Sequence, residues 1–441
     1  MAERAEAAEP SSWDVLVVGG GPAGSTIAAL LAERGHRVVL VEKEKHPRFH
    51  IGESLLPFNL PLLDRLGVLS EVERIGMIKY GAEFIAPECE GKCSTFLFAR
   101  AFEKSLPYAY QVRRSEFDHI LLKNAAAKGV TVAEQCLVTD VGFPGDAGVV
   151  AQVRVQDGSQ QSWRARFLVD ATGRDALLAS RFGIRERNRK HSSAALFGHF
   201  TGARRLPGKA EGNISIFWFN QGWFWFIPLA DGTTSVGAVC WPAYLKSRRT
   251  DLTSFFFETI AQCPAIADRL QQATLMTPIT ATGNFSYESQ RMSGTSYLIV
   301  GDAFAFIDPM FSSGVYLAMS SAFRAADAVD DCLRFPDQAA RSLRRFQRMT
   351  LRGLRTYSWF IYRATTPAFR NLFMHPRNVL RVEEALMSLL AGDVFGHSPI
   401  RGRLLLFKAI YYAVALLHLP KTIEAGIRRK RSMAVSFGET Q

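Results

Sequence analysis

The sequence predicts an α/β fold: a parallel βαβ core gathered from separated segments, an antiparallel second sheet, and a helical C-terminal region. Three patterns carry the prediction. Apolar runs at 15–18 and 38–41 flank a helix-period segment in WDVLVVGGGPAGSTIAALLAERGHRVVLVEKE, as strands buried on both faces do in a parallel unit. Residues 193–240 instead alternate strand-like runs with tight-turn residues: NISIFWF, NQG, WFWFIPL, ADGT and TSVGAVC read as an antiparallel meander. From about residue 318 onward helical patterns dominate, among them VLRVEEALMSLLAG with Gly392 as its C-cap.

Further buried-strand signals stand at FLVDATG (167–173) and YLIVGDA (297–303), far from the first unit in sequence. They predict a discontinuous nucleotide-binding core over 1–330, with an antiparallel substrate-facing sheet around 193–280. The segment 331–441 is expected to be helical. Within the meander, GWFWFIP (222–228) is unusual. Side chains two apart on a strand share a face, so Trp223 and Trp225 point one way while Phe224 and Phe226 point the other. Both faces of this strand are expected to be buried.

At 441 residues with 48% hydrophobic content, the chain has ample material for a large core, which excludes intrinsic disorder. The net charge of +12 suits acidic partners, nucleic acid or anionic membranes. No zinc-finger, RRM or helix-turn-helix pattern accompanies it, which argues against nucleic acid. The dense basic run is Arg428, Arg429, Lys430 and Arg431. Cysteines 89, 93, 136, 240, 263 and 332 make no disulfide framework, and the nearby Cys89 and Cys93 lack partners to complete a metal site. The polar start MAERAEAAEPSSW is unlike a signal peptide, so a reducing cytoplasm is expected. LLLFKAIYYAVALLHL (404–419) is too short to span a bilayer and carries Lys408 and His418; it reads as an amphipathic or buried helix.

Gly19, Gly21 and Gly24 form GxGxxG directly after a strand and at the start of a helix. This arrangement admits a pyrophosphate against the helix N-terminus. Glu42 ends the following strand, 18 residues after Gly24, placed to accept hydrogen bonds from an adenosine ribose and to repel a 2′-phosphate. A dinucleotide other than NADP is therefore expected. FLVDATGR and YLIVGDAFAFIDP resemble the later fingerprints of the glutathione-reductase-type FAD family, which implies FAD. The resemblance implies Asp302 beside the ribityl chain and pyrophosphate, and Arg114, in QVRRSEFDHILLKNA, near the adenosine side. The implied cofactor set is Gly19, Gly21, Ala23, Gly24, Glu42, Lys43, Arg48, Ser54, Arg114, Gly301 and Asp302. Asp118 and Asp170 are read as structural. With no second complete GxGxxG unit, electrons are expected from a separate flavin reductase.

Trp223, Trp225, Ile227 and Pro228 form WxWxIP, which resembles the signature of flavin-dependent halogenases. The resemblance also runs through HPRFHIGESLLP (46–57), MIKYGAEF (77–84) and DPMFSSGVYLAMSSA (308–322), with a weaker likeness in SLLAGDVFG (388–396). It implies that reduced FAD and O2 form a hydroperoxide that oxidises chloride or bromide. The hypohalous product would then meet Lys79, the implied catalytic residue, as a hydrogen-bonded species or a haloamine. Burial would favour the neutral amine that either role uses. Ser312, Ser313 and Gly314 stand where the family holds halide; a turn that opens a helix makes an anion nest, and Ser312 or Ser313 is also a plain N-cap.

Tryptophan halogenases carry a glutamate one residue before this serine, whereas this chain has Phe311. That departure implies the phenol- or pyrrole-type branch, whose electron-rich rings need no such carboxylate and whose substrates are often tethered to an acyl or peptidyl carrier protein. The basic run at 428–431 is a candidate contact for an acidic carrier, or an ordinary solvated surface. Two other readings stay open on the same scaffold: aromatic hydroxylation or alkene reduction of the geranylgeranyl-reductase kind, and a non-enzymatic flavin-binding paralogue.

Overall fold

The opening strand Ser12–Val18 is central to a parallel sheet because its apolar run is buried on both faces, with Val15, Leu16 and Val17 at most 1% exposed. In the computed structural model, which describes residues 12–433 except 88–92, 146–147, 189, 284–285, 376–377 and 396–398, it pairs in parallel with Val38–Val41 and with Gln160–Asp170. Thr131–Ala133 extends the sheet beyond Val38–Val41, and Tyr297–Ile299 extends it beyond Gln160–Asp170. The core is therefore discontinuous in sequence. The crossover helix Pro22–Glu33 begins with Pro22 at its first position, where a missing N–H costs nothing.

Two strand boundaries differ from expectation. The strand predicted at 167–173 runs over Gln160–Asp170 and stops where Asp170 takes the backbone N–H of Thr172 (3.0 Å) and of Leu178 (2.8 Å). The strand predicted at 297–303 ends at Ile299, because Gly301–Ala303 turns as a short 3-10 helix with Gly301 at φ +57°.

The second sheet contains the expected meander: Ile214–Phe219, Gly222–Pro228 and Thr234–Cys240, joined by tight turns. Ala194–Thr201 pairs with Thr234–Cys240, and Gly81–Ile85 runs parallel to Ile214–Phe219 at the other side. Every residue of Gly222–Pro228 is buried. Trp223, Trp225 and Ile227 join the main core shared with the nucleotide-binding sheet. Phe224 and Phe226 join a second core closed by helices Leu252–Ala261 and Pro264–Arg269. That explains the doubled aromatic content of the strand: it is the partition between two cores. Arg269 lies over the rings of Phe217 and Phe226 (5.1 and 5.4 Å) and bonds Glu83 at 2.7 Å, covering the second core's edge.

The C-terminal part is helical. Gly314–Arg334 and Ala339–Ile361 pack together behind the nucleotide-binding sheet, and Phe373 of Pro367–Met374 contacts Phe84 and Phe96. Helix Val382–Ala391 ends at Gly392, with φ +109°. Helix Ile400–Leu417 buries Leu404, Phe407 and Tyr411 but leaves Leu405, Leu416 and Leu417 65–81% exposed, so its outer face is apolar rather than polar. Among the described residues no single helix is long and apolar enough to cross a membrane; 400–417 and 422–433 pass by length and composition only as a pair bent by 105°. No group of three or more His, Cys, Asp or Glu that could hold a metal occurs among the described residues. Cys93 is an exposed free thiol and Cys89 lies outside them.

The two-core strand depends on one small residue. Gly237 faces Trp225 in register, and a Cβ there would lie 2.2 Å from the indole. Gly237→Ala should therefore displace the ring and lower stability by about 1–3 kcal/mol, as overpacking does. Urea unfolding followed by tryptophan fluorescence measures it.

Candidate active site

The Gly-rich turn faces a cleft of about 660 Å³. Gly19 has φ +107°, and a Cβ on it would sit 2.4 Å from the carbonyl oxygen of Ala171; a Cβ on Gly24 would sit 1.8 Å from that of Gly19. Only glycine permits this approach of turn, helix and neighbouring strand. Gly19, Gly21, Ala23, Glu42, Lys43, Arg48, Arg114 and Asp302 line the cleft, while Gly24 and Gly301 lie in the backbone packing beneath it. Glu42 is held by the N–H groups of Gly20 (2.7 Å) and Glu44 (2.9 Å), which orients its carboxylate at the rim. Lys43 reaches Asp175 at 2.5 Å, and Arg48 lies 3.3 Å from Asp118 and 3.7 Å from Glu42. These residues fit FAD: Glu42 would take a ribose and the helix that starts at Pro22 would meet a pyrophosphate.

A smaller cavity of about 130 Å³ adjoins the cleft, and His50, Arg114, Arg174, Asp302, Gly314 and Val315 line both. Trp223, Trp225, Ile227, Phe197 and Ser54 form much of its wall; Pro228 ends the strand outside it. The rings form a row: Trp223 to Trp225 at 6.2 Å, Trp225 to Phe197 at 5.9 Å, and Phe197 to Phe49 at the mouth of the cleft at 6.1 Å. The Trp225 indole donates to Ser235 Oγ at 3.1 Å, which fixes its orientation. Arg114 lines both cavities, forked onto Asp118 at 2.8 and 2.9 Å and donating to the Ile51 carbonyl. The paired guanidinium holds the Asp118 carboxyl below the usual range against the opposing effect of burial. Asp302 lacks such a fork, and burial pushes it up to about 6. The nearby Arg114 charge, with burial, pushes His50 down to about 4.

Lys79 ends the short strand Met77–Lys79, which pairs with Ala109–Gln111 and so carries the side chain inward. It is 1% exposed. Its Nζ donates to Ser54 Oγ (2.8 Å) and the Leu55 carbonyl (3.0 Å) and lies 5.3 Å from the Phe98 ring centre. All of these partners are neutral, and desolvation pushes the amine down to about 7. Since Ser54 lines the smaller cavity, Lys79 stands one hydrogen bond behind its wall.

Ser312 and Gly314 also line this cavity, from the turn that enters helix Gly314–Arg334. The expected serine capping is corrected by the geometry. Ser312 has φ +53°, and Ser313, at the N-cap position, makes no side-chain cap bond. The side-chain cap in this segment belongs to the short 3-10 turn before the helix: Asp308 caps Pro309–Phe311 by accepting the Met310 N–H at 3.1 Å. Sequence reading overlooked Glu53. Its Oε1 meets His199 Nε2 at 2.9 Å with both side chains 2% exposed, its Oε2 has no protein partner, and the residue lines the cavity. The GES segment signals Glu53; nothing near His199 in sequence signals their pairing.

A parallel nucleotide-binding sheet with this cleft defines an FAD-binding flavoprotein, and the FAD binding domain family matches residues 12–337. A tryptophan 2-halogenase of Chondromyces crocatus is 39% identical over 73% of this chain, which spans 61% of that protein's length. A 1H-pyrrole-2-carbonyl-[peptidyl-carrier protein] chlorinase of Pseudomonas fluorescens is 29% identical over 87% of this chain and 90% of its own. The solved structure of the myxobacterial chondrochloren halogenase superposes with a TM-score of 0.77 at 35% identity, covering 89% of this chain and 92% of that one. The chain belongs to the flavin-dependent halogenases.

The buried amine of Lys79 has a stability signature. Between about pH 7 and 10.5 the unfolded chain binds a proton at this lysine that the folded chain lacks, so its contribution makes stability rise with pH across that window. Lys79→Met should remove this component, which urea unfolding of both proteins across the window reads as a shallower pH slope for the variant.

Proposed function

We propose that the protein halogenates an electron-rich aromatic ring of phenol or pyrrole type, using chloride or bromide, O2 and FAD reduced by a separate flavin reductase. The observation that carries the proposal is Lys79: a wholly buried amine among neutral partners, one hydrogen bond behind a cavity that adjoins the flavin cleft. When bound and reduced, FAD supplies the O2 chemistry that oxidises halide. The chain's residues do the rest. In the Ser312, Ser313 and Gly314 turn the Ser312 N–H is taken by the Pro309 carbonyl at 2.9 Å, so the N–H groups of Ser313 and Gly314 are the ones offered to a halide at the helix start. Lys79 holds the hypohalous species through its N–H groups, or captures it as a haloamine, and directs it to one ring position. Trp223 and Trp225 wall the cavity so that the oxidant, rather than the substrate, approaches the flavin side. The free oxygen of Glu53 is placed to take the proton the ring loses, a task for which Phe311 offers no carboxylate.

One relative is named for tryptophan and another for a carrier-bound pyrrole. Phe311 and the small cavity favour the second kind of ring, delivered on an acidic carrier protein in the cytoplasm. Of the basic run proposed to meet that carrier, Arg429 is turned inward, bonding Tyr362 and Lys190 carbonyls, whereas Lys430 and Arg431 are exposed. The Arg428 side chain lies outside the described residues, so the docking proposal rests on Lys430 and Arg431 among the described ones.

With a flavin reductase, NADH and bromide, mass spectrometry of phenol, pyrrole and tryptophan incubations should show the bromine isotope doublet on the phenol or pyrrole. A gain of one oxygen would identify a hydroxylase instead. Lys79→Ala should abolish product while FAD binding and hydrogen peroxide release persist, and Lys79→Arg should fail to restore it, because a guanidinium stays protonated. Normal product from either variant removes Lys79 from the mechanism. Replacing Lys430 and Arg431 by Glu should slow turnover of a carrier-bound substrate more than that of its free counterpart; equal slowing excludes docking there.

A further inference from the structure

The turn carrying Ser312 and Gly314 is held from behind by a chain of side chains that ends on the last helix. Asp308, which opens the turn, is 5% exposed. Its Oδ2 lies 2.7 Å from His191 Nε2 and 3.0 Å from Ser193 Oγ, and its Oδ1 accepts the Met310 N–H at 3.1 Å. On the far side of the ring, His191 Nδ1 lies 3.1 Å from Arg429 Nη2.

Elementary chemistry fixes the direction of every bond. A guanidinium has only donors, so Nδ1 must be the acceptor and carries no proton. The imidazole proton is therefore on Nε2, where it is donated to Asp308. The Ser193 hydroxyl donates to the same oxygen, and the Met310 N–H satisfies the other. With this set complete, Asp308 has one favourable position, and it determines where the Pro309–Phe311 turn begins. The same cluster backs the halogenation cavity: His191, Asp308 and Met310 share a crevice of about 10 Å³ with Trp223, whose ring also lines the cavity. Arg429 is well placed to hold the far end, being itself bonded to the Tyr362 and Lys190 carbonyls.

We propose that Arg429 is a positioning residue for halide binding: through His191 and Asp308, docking of helix Leu419–Met433 sets the 309–314 turn in its halide-holding conformation. This rests on the halogenase reading above for the role of the turn, though not for the linkage itself. Without Arg429, Nδ1 is free to carry the ring proton, the donation to Asp308 is lost from part of the population, and the turn relaxes.

The test compares the full-length FAD-loaded wild type with Arg429→Ala and Arg429→Lys, by hydrogen exchange of peptides covering 305–316 and by steady-state kinetics with bromide varied. Arg429→Ala should speed exchange in those peptides while leaving the Gly19 turn unchanged. It should raise the bromide KM about tenfold, the scale of one charge-assisted hydrogen bond, with FAD content and aromatic-substrate KM unaltered. Arg429→Lys, which can still donate to Nδ1, should recover most of both. Unchanged exchange in Arg429→Ala overturns the linkage, and faster exchange with an unchanged bromide KM overturns its role in halide binding. If the wild type yields no halogenated product, the halogenase reading fails, and exchange alone decides whether Arg429 holds the turn.

Discussion

A strand with both faces buried must satisfy two cores at once, and the site is organised around that constraint. Gly222–Pro228 sends Trp223, Trp225 and Ile227 toward the nucleotide-binding sheet and Phe224 and Phe226 toward the helices that close the other side. A one-residue slip in its pairing would exchange the two sets and empty the cavity wall of indoles, so the register is strongly specified. Its pairings, Trp223 with Trp218 and Val239, Trp225 with Ile216 and Gly237, leave little freedom to the rings. Rigid aromatic walls follow directly from core packing. The same rings that define the cavity also hold the two layers together.

Within that frame, charge is managed in two ways. Arg114 and Asp118 are buried as a forked pair, and each keeps its charge because its partner replaces lost hydration. Lys79 is buried just as deeply with only a hydroxyl, a carbonyl and a ring for company. Desolvation therefore decides its protonation and brings the neutral amine into the neutral pH range. The chain thus buries one cation beside a counter-charge and another beside neutral partners alone. Strained or uncompensated groups are found where function outweighs stability.

The turn at 309–314 shows how little of such a site is local. Its glycine and serines suggest both a halide nest and a capped helix, and the serines were expected to cap. Asp308 caps only the 3-10 turn before the helix, Ser313 occupies the helix N-cap position without a side-chain bond, and Ser312 lines the cavity in a left-handed conformation. Arg429 similarly looked like part of a solvated basic run. It is instead drawn into the fold by two carbonyls and the His191 ring, because the last helix lies against Lys190, His191 and Tyr362.

What the sequence determined by itself is whatever depends on neighbours a few residues apart. The glycine turn with its flanking strands and Glu42, the alternation in GWFWFIP, the hairpin turns and the Gly392 stop were legible because steric and periodic rules act over short distances. Lys79 stood out only through the family resemblance of the segment around it, since a lone lysine before Tyr80 and Gly81 carries no local signal of burial. Only the tertiary structure decided its environment, and with it the Glu53–His199 pair and the Arg429–His191–Asp308 chain. Their members stand 146, 238 and 117 residues apart. Hydration and counter-charge are set by which distant segments pack together, and it is these that determine how an ionisable group behaves.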